Sequence, residues 1–157
     1  MKKILGILTA LFMAVCMTSC LEHDLEELEV YSDCDITGRD IYWRWISDEV
    51  HPGTGANKVK QVRLPYYSAS TVIDKEALTC HIQYSVAYSN LDDTQKAAFT
   101  ESNAVVVVTV STAATIAPVE GAPALGVPGD WSKPNKYEVT AADGTKKTWT
   151  ITIACGD

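Results

Sequence analysis

Cys80 and His81 are the pair in this sequence whose chemistry would matter most, because a thiolate beside an imidazole is a nucleophile with its base. Their setting argues against it. They fall in an alternating apolar stretch, and neighbours on a strand point to opposite faces, so the two cannot form a dyad there. His23, His51 and His81 are not at metal-ligand spacing. Asp33 and Asp35 around Cys34, and the pair Asp92-Asp93, could touch calcium, but neither approaches a twelve-residue calcium loop. No Gly-rich phosphate loop and no Gly-x-Ser-x-Gly elbow is present. These residues assign no catalytic, metal or cofactor role, and the chain reads as a non-enzyme. Aromatic side chains offer a different chemistry. Tyr42, Trp43, Trp45, Tyr66, Tyr67, Tyr88 and Trp131 are numerous for a small domain, and ring faces stack on the apolar surfaces of sugars. Most read as core. Tyr66 and Tyr67, which follow Pro65 in a loop, are the pair expected to be exposed and to bind a ligand.

The first residues carry an address. Lys2 and Lys3 precede an uncharged apolar run from Ile4 to Val15. That run is too short to span a bilayer, which takes roughly 20 residues. Met17-Thr18-Ser19-Cys20 then resembles the lipobox of bacterial lipoproteins, with Met where Leu is usual. The resemblance implies cleavage after Ser19 and lipidation of Cys20. The acidic run Leu21-Glu22-His23-Asp24-Leu25-Glu26-Glu27-Leu28-Glu29 reads as a solvated tether. It partly resembles the export signal that follows the lipidated cysteine in Bacteroides-type surface lipoproteins. The expected organisation is a signal peptide over 1–19, a lipidated tether over 20–37 and one domain over 38–157. The expected location is the outer membrane, at the cell surface, with the membrane as partner through the lipid anchor. The whole chain carries a net charge of −7, and loss of Lys2 and Lys3 with the leader deepens it. An acidic protein of this kind does not seek nucleic acid.

Cys34, Cys80 and Cys155 remain. An exported protein permits disulfides, and an odd count leaves one thiol over. Cys80 shares parity with Leu78, Ile82, Tyr84 and Val86. Cys155 shares parity with Trp149, Ile151 and Ile153. A Cys80–Cys155 bridge between two sheets is therefore one expectation, with Cys34–Cys155 as its rival and free, packed cysteines as the third option.

The elements that would position these groups are strands. Residues 136–153 read as a hairpin: Tyr137, Val139 and Ala141 alternate with polar residues, Asp143-Gly144 turns, and Trp149, Ile151 and Ile153 alternate with threonines. Asp40–Ile46 predicts a strand with Ile41, Trp43 and Trp45 facing the core. Lys58–Leu64 predicts an edge strand guarded by lysines. Val72–Lys75 predicts a short extended piece and Ala77–Tyr88 a central strand. Leu91–Phe99 is the one helix candidate, capped by Asn90 or Asp92. The valine run Ala104–Val110 predicts a strand buried on both faces. Glycines and prolines between Val119 and Asn135 predict a long bend. The sum is an all-β antiparallel sandwich of about six to eight strands with at most one short helix.

Three segments of the C-terminal half share a pattern with a known group. Ala114–Gly121, Gly129–Pro134 and Tyr137–Ile153 resemble the "AxIxPxxG … DFSxP … YxVTAxDGxxKxYxIxI" pattern of Ig-like domains in Bacteroides-type lipoproteins. Trp131 stands in the Phe position and Trp149 in the Tyr position. The resemblance implies an Ig-like sandwich. It also implies association with glycan capture or adhesion at the outer membrane, with glycans or outer-membrane proteins as partners.

Overall fold

The structure, a computed structural model, describes residues 31–156; the expected signal peptide, Cys20 and the acidic run lie outside them. The chain separates into two units, Met1–Val30 and Tyr31–Asp157. The second is an all-β sandwich. A three-stranded sheet has the order β2-β1-β5, with β1 at Ile36–Val50, β2 at Asn57–Arg63 and β5 at Ala104–Val110. A five-stranded sheet has the order β3-β4-β8-β7-β6, from Val72–Asp74, Thr79–Tyr84, Lys146–Cys155, Asn135–Thr140 and Thr115–Val119 respectively. Helix α1 covers Asp93–Ala98 and a 3-10 turn covers Glu101–Asn103. Among the described residues no helix is long and apolar enough to cross a membrane.

The C-terminal hairpin forms the middle of the larger sheet. Tyr137 faces Trp149 across the ladder, and Trp149 and Ile151 are fully buried with Val139. Each buried side chain of this size contributes roughly 1.5–3 kcal/mol. The turn is a three-residue loop closed by the Ala141 N–H on the Thr145 carbonyl at 2.8 Å, and Gly144 takes φ +88°. Only that residue needs the left-handed region, as a three-residue hairpin requires. Trp149 also donates its indole N–H to the Cys34 carbonyl at 3.0 Å. Cys34 and Ile36 are fully buried, so the folded unit begins before residue 38, where its start was expected.

Strand β8 pairs with β7 antiparallel and with β4 parallel, which departs from an all-antiparallel sandwich. The parallel pair decides the cysteines. Cys80 sits opposite Ile151, and Cys155 sits opposite Tyr84, four register positions on. That offset is about 13 Å along the strands, whereas bridged Cα atoms lie within about 7 Å. The expected Cys80–Cys155 disulfide therefore does not form: both residues belong to one sheet, not to facing sheets. The rival Cys34–Cys155 pairing fails for the same reason, since Cys34 lies beside Trp149, six residues back along β8. Cys34 and Cys80 are buried free thiols, and Cys155 is exposed at the end of β8.

The valine run is the second correction. Strand β5 is an edge, and only Ala104, Val105 and Val106 are fully buried; Val107 is 38% exposed. The bend after β6 covers the first half alone. Gly126 and Gly129 donate to the carbonyls of Val106 and Ala104 at 2.9 and 3.1 Å, and Arg44 Nη2 donates to the Gly126 carbonyl at 3.0 Å. Trp131, in the Phe position of the pattern, is 1% exposed and stacks on Tyr137 with ring centroids 5.9 Å apart.

Candidate ligand-binding site

Leu64 and Pro65 set the position of the tyrosines. Leu64 is fully buried and donates its N–H to the Ile41 carbonyl at 2.9 Å. Pro65 cannot extend the ladder, and the chain crosses to the larger sheet. There Tyr66 bridges to Tyr84, Tyr67 donates to the Gln83 carbonyl at 3.0 Å, and Ser85 donates to the Pro65 carbonyl at 2.9 Å. The segment thus lies along the end of β4. Beyond β4 the chain turns tightly, with Tyr88 N–H donating to Ser85 Oγ at 3.3 Å and Ser89 Oγ to the Val86 carbonyl at 2.6 Å. This turn ends the predicted strand four residues early and brings Tyr88 to the other two tyrosines.

Tyr66 and Tyr67 diverge, as neighbours in extended backbone do. Tyr66 is half-buried. The guanidinium carbons of Arg39 and Arg63 lie 5.1 and 5.3 Å from its ring centroid, contacts that favour the electron-rich face. Arg39 also donates to the Thr71 carbonyl at 3.1 Å, and Arg63 Nε donates to Asp40 Oδ1 at 2.7 Å. The Asp40 carboxylate holds the Arg63 pKa above its ordinary value. Tyr67 is 38% exposed and Tyr88 is 76% exposed. Together with Pro65 and the buried Ser85, the three tyrosines line a recess of about 130 Å³. Enclosed small-molecule pockets run about 300–1,000 Å³, so this recess is too small to enclose a whole ligand. The sequence singled out Tyr66 and Tyr67 as exposed; the structure leaves Tyr67 open and turns Tyr66 into the floor. Tyr88, read as a strand residue, is the third wall, and only its aromatic type hinted at it.

No acid or base lines this recess. Cys80 and His81 are kept apart. Burial pushes the Cys80 thiol up to about 11, while His81 turns away to bond Thr152 Oγ1 through Nδ1 at 2.9 Å. Among the described residues no group of three His, Cys, Asp or Glu side chains gathers as a metal site requires. What the recess can do is stack.

Comparison with curated proteins gives no match. Among solved structures, a Bacteroides fragilis protein described as secreted superposes with a TM-score of 0.69 at 34% identity, covering 80% of this chain and 98% of its own. A Bacteroides thetaiotaomicron protein described as a glycoside hydrolase gives a TM-score of 0.42 at 21% identity, covering 76% of this chain and 26% of its own. Residues 36–152, which take in every strand but the last three residues of β8, match the family described as DUF5018-related. The chain belongs to the DUF5018-related family.

Proposed function

We propose that this chain is a lipid-anchored protein of the cell envelope whose sandwich captures carbohydrate at the tyrosine recess. The observation that carries the reading is the convergence of Tyr66, Tyr67 and Tyr88 from two loops onto one apolar recess. A ring face offered to solvent on a fixed floor matches the apolar face of a pyranose, and holding the rings in advance limits the entropy lost on binding. The arginines around Tyr66 hold that floor in place. The lipobox-like Met17–Cys20 supports anchoring through Cys20, and the acidic run after it supports the cell surface. The description of the B. fragilis relative as secreted agrees with an exported protein. The test is a glycan array probed with the full chain beside Tyr67→Ala and Tyr88→Ala variants. Binding to one glycan class, lost in both variants, is the expected result; binding retained by both would place the site elsewhere.

One feature favours an alternative scaffold role through protein contacts. Strand β2 is a free edge, and Ile46 and Val59, paired across its ladder, are 71% and 63% exposed. Absence of glycan binding together with specific co-purification of outer-membrane proteins would favour that role.

A further inference from the structure

Strand β5 is covered along half of its outer edge and open along the rest. Gly126 and Gly129 donate to the carbonyls of Val106 and Ala104, so the even-numbered residues of β5 turn their backbone away from β1. Strand alternation then aims the N–H and C=O of Val108 and Val110 outward as well. The bonds from the bend stop at Val106, and among the described residues no group bonds to those of Val108 and Val110 on that side.

The other three edges are each guarded. Strand β2 carries Lys58, Lys60 and Arg63, β3 is three residues long, and β6 contains Pro118. Charge, brevity and proline are the usual means of keeping sheet edges from pairing. The open half of β5, Val107-Val108-Thr109-Val110, has none of them. All four residues are β-branched, and Val107 and Thr109 are exposed. From Ala104 to Val119 there is no charged residue, in a chain whose net charge is −7.

An edge of this kind fits a strand with the same properties, and β5 of a second copy has them. We infer that two copies of this chain pair antiparallel through β5, about a two-fold axis at Thr109, and join their three-stranded sheets into one. The bend fixes the register. An axis at Val108 would set Val110 of the second copy against Val106, whose carbonyl Gly126 already holds. An axis at Thr109 pairs Val108 with Val110 of the second copy, and Val110 with its Val108. Each of these pairs can exchange two backbone bonds. The seam opposes valine to valine and Thr109 to Thr109, matched contacts that favour pairing. Such a self-complementary contact closes at two copies, and its small size makes the dimer weak and concentration-dependent.

Introduced thiols read the register directly. The exposed Cys155 is first replaced by Ser, and Thr109→Cys or Val107→Cys is then added to the full chain. Across the proposed axis the two Thr109 Cα atoms lie about 4.5 Å apart, within bridging distance. The two Val107 Cα atoms lie roughly 13 Å apart along the strands, four positions out of register. Mild oxidation of concentrated protein in a non-ionic detergent should give a cross-linked dimer with Thr109→Cys and monomer with Val107→Cys. Thr109→Lys sets like charges face to face at the axis. It should abolish the dimer seen by sedimentation and leave the thermal midpoint unchanged. Monomer with Thr109→Cys, equal cross-linking at both positions, or a dimer of wild-type strength in Thr109→Lys would each overturn the inference. A Thr109→Cys cross-link to a different protein in intact cells would assign the edge to a foreign strand and overturn self-pairing as well.

Discussion

Tyr66 and Tyr67 differ by one position and do opposite things. The extended backbone sends Tyr66 beneath the surface, where Arg39 and Arg63 hold its ring, and sends Tyr67 outward beside Tyr88. Replacing Tyr67 or Tyr88 with Ala is expected to remove a stacking surface with under 1 kcal/mol of stability lost, since both rings are exposed. Equal thermal midpoints alongside lost glycan binding would establish that these rings act on the ligand. Asp35 has a different importance. Its carboxylate accepts from Lys147 at 3.0 Å and pairs with Lys75 at 3.1 Å, tying the start of β1 to β8 and to the turn after β3. The hydrogen bond from Lys147, then that from Lys75, hold it below its ordinary pKa. A carboxyl with a depressed folded-state pKa stabilises the fold above its unfolded value and loses that contribution as pH falls through the folded one. The chain is therefore expected to lose stability below about pH 4. Asp35→Asn should cost about 1 kcal/mol at neutral pH and flatten the acid limb of the stability profile measured by denaturant melts. An unchanged acid limb would remove Asp35 from the account.

At the scale of elements, the bend between β6 and β7 turns out to hold an edge strand as well as a plug. Gly129 is the contact point. It donates to the Ala104 carbonyl at 3.1 Å, and a Cβ there would run into the Pro123 ring. Gly129→Ala is expected to destabilise by about 1–3 kcal/mol, the usual range for overpacking, and to loosen Ala104–Val106, read as faster amide exchange in β5. Strand β8 is less tolerant. Trp149→Ala removes a fully buried ring and the bond to the Cys34 carbonyl, and a loss of about 3–5 kcal/mol follows for such a truncation. Urea melts at constant slope would measure it.

For the whole molecule, the proposed anchor and the sandwich are separable properties. Cys20→Ala is expected to release the protein from the membrane fraction with its thermal midpoint unchanged, because the cysteines inside the fold are Cys34 and Cys80. A variant that stays with the membrane would refute lipidation at Cys20. The thiols test the sheet arrangement itself. In the native protein Cys34 and Cys80 should resist alkylation while exposed Cys155 reacts, and all three should react after denaturation without reductant. Protection of Cys155 that only reductant removes would restore the disulfide.

The sequence alone determined the strands whose apolar residues alternate without interruption. The C-terminal hairpin, the core row Ile41 and Trp43, and the edge at β2 follow from side-chain period and turn chemistry, which are local properties. It also determined that Asp92 or a near neighbour would cap one short helix, and the reciprocal Asp92–Gln95 bonds select Asp92. Tertiary structure decided everything that depends on which strand lies beside which. Alternation gives the face of Cys80 and Cys155 but not their sheet, and the parallel β4–β8 register separates them. A valine run shows that a strand is apolar, but whether both faces are covered depends on a bend about twenty residues away in sequence. The recess draws Pro65–Tyr67 and Ser85–Tyr88 together by backbone bonds that no periodicity encodes. Trp45 lies on the core face of β1 yet is only part-buried, which its parity alone does not reveal. Such long-range pairings are fixed by the packing of the whole chain.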